Sequence, residues 1–292
     1  MSNLTKRILV AIITIPITIY VSFMPYSLLG LTLIFALVAV HEFYGLAKMK
    51  GFIPQTRIGL ILTAFIVISF AHAEILRAAF GLGMHVEVAT LTLFFLPIVM
   101  IAGVLLTMTA ELFKGYPNPL AQVSVTLAGA VYVGFGLGGF YGIREVLAGP
   151  SGESIEGPIF LITLLASIWI CDSAAFSVGR KWGKHKIAAK VSPHKSWEGG
   201  IAGFVAAIIV WLVARTYISD IQGISLATAL AMGIIVGVLG QIGDFAESML
   251  KRDAGVKDSS TLIPGHGGVL DRIDSILFVA PCAYLWLHLV GI

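Results

Sequence analysis

SLATALAMGIIVGVLGQIGDFAESMLKRDAGVKDSSTLIPGHGGVLDRIDSILFVAPCAYLWLHLV, Ser225 to Val290, decides the fold. An apolar block becomes polar along one face, a glycine- and charge-rich connection follows, and a second apolar block closes the stretch. The two blocks predict helices over 225–250 and 269–290, each long enough to cross roughly 30 Å of hydrocarbon at about 1.5 Å per residue. On the first, Gln241, Asp244, Ser248 and Lys251 recur at spacings of three and four, with Glu247 one turn from Asp244. A single polar stripe therefore runs toward the connection. A carboxylate at the centre of an apolar helix costs about 2.5–3.5 kcal/mol on insertion scales, so this stripe must meet water, protein or ions.

The rest of the chain repeats the apolar blocks. Of its 292 residues 58% are hydrophobic and 12% charged, against about a quarter charged in an ordinary soluble domain. Spans are expected near 8–24, 27–47, 57–77, 87–110, 121–146, 158–179, 199–218, 225–250 and 269–290. The pattern predicts an all-α integral membrane protein of about nine transmembrane helices. The ten-residue alternation of a membrane β-barrel is missing. Ile8 to Phe23 follows Lys6 and Arg7 but is read as the first span and not as a signal peptide, since no small-residue cleavage site follows and the next span begins almost at once. Cys171 and Cys282 both fall in apolar blocks and read as buried small hydrophobes. GFGLGG, Gly134 to Gly139, reads as a place of close helix packing; a phosphate loop would need a preceding strand and a following lysine.

Nine spans would place 16 of the 19 Lys and Arg residues on the side of the N-terminus, leaving Arg77, Arg144 and Arg215 opposite. By the positive-inside rule the N-terminus is cytoplasmic. The expected location is the inner (cytoplasmic) membrane, as a multi-pass protein among membrane lipids, with no nucleic-acid partner. Residues 1–292 read as one polytopic domain, with 1–150 low in motifs and 158–292 carrying the catalytic helices and loops.

Asp172 in the sixth span, Asp244 in the eighth and Asp271 at the start of the ninth converge on the basic side, the first two roughly 10 Å deep by helical rise. The Gly265 to Gly268 turn leads into a helix, an arrangement that offers backbone N–H groups to phosphate oxygens. Lys251, Arg252, Lys257, His266 and Arg272 add positive charge nearby, and Asp274 and Ser275 extend the polar start of the ninth helix. Carboxylates against a cationic rim suit a divalent metal and a polyphosphate together.

SMLKRDAGVKDSSTLIPGHGGVLDRID, Ser248 to Asp274, resembles the signature of the phosphatidate cytidylyltransferase (CDP-diglyceride synthetase) family. The resemblance is carried by Ser248, Lys251, Arg252, Lys257, Asp258, Pro264, His266, Gly267, Gly268, Asp271, Arg272 and Asp274. A second stretch is similar to the family through Asp172, Gly179, Arg180, Gly183, Ser192, Pro193, Lys195, Ser196, Trp197, Glu198 and Gly199; the N-terminal half contributes His41, Glu42 and Phe43. The resemblance implies that CTP and phosphatidate give CDP-diacylglycerol and pyrophosphate at the cytoplasmic face. It also implies a Mg²⁺ requirement, Asp244 and Asp271 as metal-binding acids with K⁺ as a second ion, and is compatible with a homodimer.

The attacking phosphate of such a lipid is already anionic near neutral pH, its second pKa being about 6. The site must then supply positive charge and alignment, and no strong base. Lys251, Arg252, His266 and Arg272 are expected to neutralise the triphosphate. Asp172, Arg180, Lys195, Ser196, Ser248, Lys257, Asp258, Gly267, Gly268 and Asp274 are expected around the substrates, with the loop from Arg180 to Glu198 serving as a nucleotide-binding edge or as a collar for anionic lipid. Three other functions stay open on the residues alone: a CTP-dependent kinase or nucleotidyltransferase for another lipid, an ion-coupled secondary transporter, and a membrane scaffold.

Overall fold

A computed structural model gives the structure of the chain and describes residues 3–71, 75, 88–148, 154–218, 224–263, 265 and 267–291. Among these residues the chain forms nine helices: α1 (Asn3–Ser22), α2 (Pro25–Met49), α3 (Thr56–Ser69), α4 (Val88–Lys114), α5 (Pro119–Val146), α6 (Glu156–Trp182), α7 (Trp197–Ile218), α8 (Leu226–Asp253) and α9 (Leu270–Leu289). Pairing outside helices is confined, among the described residues, to two isolated bridges, Lys186 with Ser196 and Ile263 with Gly267.

Local chemistry sets several of these starts. Pro25 and Pro119 open α2 and α5, where the missing N–H would have no helical partner and φ is already helical. Ser225 caps α8, its side chain accepting the N–H of Thr228 at 3.0 Å.

Among the described residues six helices are long and apolar enough to cross a membrane: α2, α4 over Phe94–Lys114, α5, α6, α7 over Trp197–Thr216, and α8. The expected third span, 57–77, is helical over Thr56–Ser69; of its remainder only Phe70, Ala71 and Ile75 are described. Helix α9 opens with Asp271, Arg272 and Asp274, which makes its first turns polar. Outward faces are apolar, as lipid contact requires: on α4 Phe94, Ile98, Ile101 and Leu105 are each at least 60% exposed, a density of exposed hydrophobes that water would not tolerate.

Helix α5 is central and packs against α2, α3, α4, α6 and α9. The glycine-rich stretch is the reason it can. A Cβ at Gly136 would run into Leu277, one at Gly139 would lie 2.9 Å from the Pro281 Cα, and one at Gly138 would meet the Phe70 ring. The expected close packing at Gly134–Gly139 is thus observed, against α9 on one side and α3 on the other. A second packed region joins α6 and α7, where the Trp211 ring packs at a tilt against Phe160, centroids 4.8 Å apart, and donates its indole N–H to Ser167.

Candidate active site

Helices α2, α6 and α8 end, and α7 and α9 begin, at one end of the bundle. Three tertiary links tie these ends together. Glu42 of α2 receives the Leu270 N–H, Lys195 of the loop before α7 pairs with Asp244 of α8, and Gln241 of α8 donates to the Gly200 carbonyl of α7.

The polar stripe on α8 is aimed by a change of helix type. Ile235–Gly240 forms a π-helical turn between two α-helical stretches, an irregularity common at functional sites. The Gln241 side chain bridges it, donating to the Gly237 carbonyl at 2.5 Å and the Gly200 carbonyl at 3.0 Å. Below this point Asp244 faces the loop that precedes α7, and Glu247 and Lys251 face α9.

One half of the site is a buried ionic cluster with little solvent. Lys251 joins the carboxylates of Glu247 and Asp271, and the three side chains are 11%, 0% and 3% exposed. Asp271 is fully engaged: Oδ1 accepts from the Lys251 ammonium at 2.5 Å, and Oδ2 from the Ser259 N–H (2.9 Å), the Ser259 hydroxyl (2.8 Å) and the Gly268 N–H (2.7 Å). Glu42 lies beside it and accepts from Ser259, Ser260, Val269 and Leu270. Two buried carboxylates, Glu247 and Asp271, thus hold one ammonium, and a third, Glu42, is joined to Asp271 through Ser259. The oxygens of Asp271 and Glu42 all have donors, whereas Glu247 is held by its ion pair with Lys251 alone.

The other half is open. Asp244, its side chain 32% exposed, pairs with Lys195 and accepts from the Ser248 hydroxyl at 3.3 Å. Asp172 and Asp274 lie within electrostatic reach of Asp244 and Lys195. The Lys195 ammonium also sits 4.3 Å from the centre of the Phe245 ring. The loop carrying Lys195 is shaped by its own contacts: Glu198 accepts from the backbone of Lys184 and His185 and meets the His185 ring at 2.7 Å.

The structure brings Asp172, Lys195, Asp244, Ser248, Lys251, Asp271 and Asp274 together. Arg252 and Arg272 are exposed near them, and Arg252 donates to the Val256 carbonyl at 2.8 Å. Lys257, Asp258 and Arg180 lie on the exposed rim. Ser196 is buried and accepts the Gly199 N–H, so its hydroxyl caps the start of α7. His266 and Pro264 lie outside the described residues.

The sequence leads one to expect free backbone N–H groups at the turn before α9. The structure corrects this for three of them: the amides of Gly268, Val269 and Leu270 already donate to Asp271 and Glu42. Two internal carboxylates occupy the positive end of the α9 dipole, which leaves the attraction of phosphate to side chains.

Glu42, Ser259 and Ser260 are polar residues that sequence reasoning did not place in the site, although Glu42 carries part of the family resemblance. An acid near the end of an apolar helix was the available signal for Glu42, and its partners lie more than 200 residues away in the chain.

Comparison with known proteins gives the family. The model of the Cytidylyltransferase family matches residues 5–290. The chain is 43% identical over 127 residues to a phosphatidate cytidylyltransferase of Thermotoga maritima, covering 42% of this chain and 47% of that one. It is 37% identical over 155 residues to one of Staphylococcus haemolyticus (53% and 55% covered). To one of Haemophilus influenzae it is 43% identical over 136 residues (44% and 46% covered). The match spans about half the length of these curated relatives.

Proposed function

The chain belongs to the cytidylyltransferase family, and from that membership we propose that it transfers the cytidylyl group of CTP to the phosphate of phosphatidate, giving CDP-diacylglycerol and pyrophosphate. One observation carries the reading. An open carboxylate, Asp244, is paired with Lys195 from one family-like segment and stands one to two turns from the buried Lys251–Asp271 pair of the other. The chemistry of the two segments therefore meets in a single place.

In the proposed reaction a phosphate oxygen of the lipid attacks the α-phosphorus of CTP, the bond from that phosphorus to the β-bridging oxygen breaks, and pyrophosphate leaves with the electron pair. The lipid phosphate carries its negative charge already, so no side chain has to remove a proton. The task of the protein is to bring two anions together in line. Lys195, Arg252, Arg272 and His266 would neutralise the triphosphate, with Lys257 and Arg180 drawing both anions to the rim. The buried cluster of Glu42, Glu247, Lys251 and Asp271 keeps the framework of α8 and α9 fixed while this happens.

The donor set suits Mg²⁺. Its oxygens are hard and carboxylate-based, and among the described residues no three acidic, histidine or cysteine side chains converge to hold a metal alone. Mg²⁺ characteristically takes one or two carboxylates and completes its shell with water and substrate phosphates. Asp244, with Asp172 beside it, offers an accessible carboxylate and would hold the ion, with K⁺ proposed as second ion, whereas Asp271, the other acid expected to bind metal, has both oxygens taken by Lys251, Ser259 and Gly268. When bound, the metal supplies charge neutralisation and alignment at the triphosphate.

The same reading places the N-terminus and the site on the cytoplasmic side of the inner membrane, with nine crossings; it is supported by the excess of Lys and Arg at this end of the bundle.

Labelled CTP tests the proposal. With phosphatidate in micelles and the purified full chain, label on the α-phosphate should appear in the lipid and label on the γ-phosphate should appear in pyrophosphate. Transfer of the γ-label to lipid would identify a kinase and overturn the proposal.

A further inference from the structure

Helix α9 has no cap of its own. Val269 stands at its N-cap position and offers no side-chain hydrogen bond, yet the first N–H groups of a helix need acceptors, the more so when they are buried. The acceptor comes from another helix. Glu42, at 6% exposure on α2, takes the Val269 N–H on Oε1 at 3.1 Å and the Leu270 N–H on Oε2 at 2.7 Å. The same two oxygens take the Ser260 hydroxyl at 2.6 Å and the Ser259 hydroxyl at 3.1 Å. Ser259 has one hydroxyl proton, and it lies between two carboxylates, 3.1 Å from Glu42 and 2.8 Å from Asp271. Gly268 completes the fit, since a Cβ there would run into the Ser259 hydroxyl and the Glu42 carboxylate.

We propose that Glu42 is a positioning residue for the reaction: it caps α9 from across the bundle and, through Ser259, sets the place of Asp271 and of the Lys251 ammonium that Asp271 holds. The proposal rests on the cytidylyl-transfer reading for its kinetic consequence, but its structural half stands without it. Glu42 is buried and each of its oxygens already takes two donors, so its influence on the reaction passes through α9. The carboxylate is required for a geometric reason. A carboxamide of the same shape has one accepting oxygen, and its NH₂ would face either the Val269 and Ser260 donors or the Leu270 and Ser259 donors.

The test uses the full chain purified in micelles, as wild type, Glu42→Gln and Glu42→Asp. Amide hydrogen exchange across 259–271 reads the cap, and steady-state kinetics with CTP and phosphatidate read its effect. Glu42→Gln is expected to speed exchange at Val269 and Leu270 and to lower kcat about ten- to hundredfold, the scale of a lost charge-assisted hydrogen bond, with KM for CTP within about threefold. Glu42→Asp keeps the charge and both oxygens at shorter reach and should fall between. If Glu42→Gln does not accumulate as folded protein, Glu42→Asp decides by the same two readouts. Unchanged exchange at Val269 and Leu270 overturns the proposal, as does a kcat loss that only matches the loss of folded protein. Should the wild-type chain not turn over these substrates, the assigned reaction fails, and exchange still decides whether Glu42 caps α9.

Discussion

Replacing Lys251 with Met removes the one ammonium between Glu247 and Asp271 while keeping a side chain of similar length. The side chains of Glu247 and Asp271 are 0% and 3% exposed, so water cannot take the place of the ammonium. Breaking a buried pair from one side costs about 3–5 kcal/mol, most of it from the charge left behind. The two acids do not lose equally. Asp271 keeps three donors, from Ser259 and Gly268, whereas Glu247 has no hydrogen-bond donor besides its ion pair with Lys251. Glu247 therefore carries most of the penalty, and the double variant Lys251→Met with Glu247→Gln should recover at least half of the stability lost by Lys251→Met alone. Glu247→Gln by itself leaves the Lys251–Asp271 bond in place and should cost no more than about 1 kcal/mol. Unfolding of the purified variants in mixed detergent micelles measures all three. Wild-type stability in Lys251→Met would refute the buried-pair reasoning, and so would a double variant weaker than Lys251→Met.

Gly268→Ala forces a methyl group against the Ser259 hydroxyl and the Glu42 carboxylate, and overpacking of this kind costs about 1–3 kcal/mol; unfolding in micelles should show that loss together with reduced turnover. Lys195→Met frees Asp244 at a site about one third exposed, so stability should move by less than about 1 kcal/mol while KM for CTP rises, as initial-rate kinetics would show. Trp211→Phe removes the indole donor to Ser167, far from the cluster, and should cost about 1 kcal/mol in unfolding without altering KM for CTP.

The order of the helices is legible because each apolar block announces itself by length. α8 and α9 fall within a few residues of the stretches expected for them. Asp244, Lys251 and Asp271 are legible because charge within such blocks is costly and stands out. What spacing cannot give is which of these groups face each other. The π-helical turn at Ile235–Gly240 directs Asp244 to one neighbour and Lys251 to another, and no residue in IVGVLG marks it. Lys251 reads in sequence as a free cation for phosphate, whereas the fold encloses it between two acids. The turn before α9 likewise reads as an anion cradle until Glu42, 228 residues before Leu270, takes its amides. Long-range acceptors of this kind leave no local pattern.

The most direct measurement of the central claim is pyrophosphate release by the purified chain given CTP and phosphatidate, with CDP-diacylglycerol quantified in the same reaction. The account predicts one pyrophosphate per CDP-diacylglycerol, no release without either substrate, and loss of release on chelation of divalent metal or in Asp244→Asn that is still folded. Near-normal release by Asp244→Asn, or consumption of CTP without phosphatidate, would contradict it.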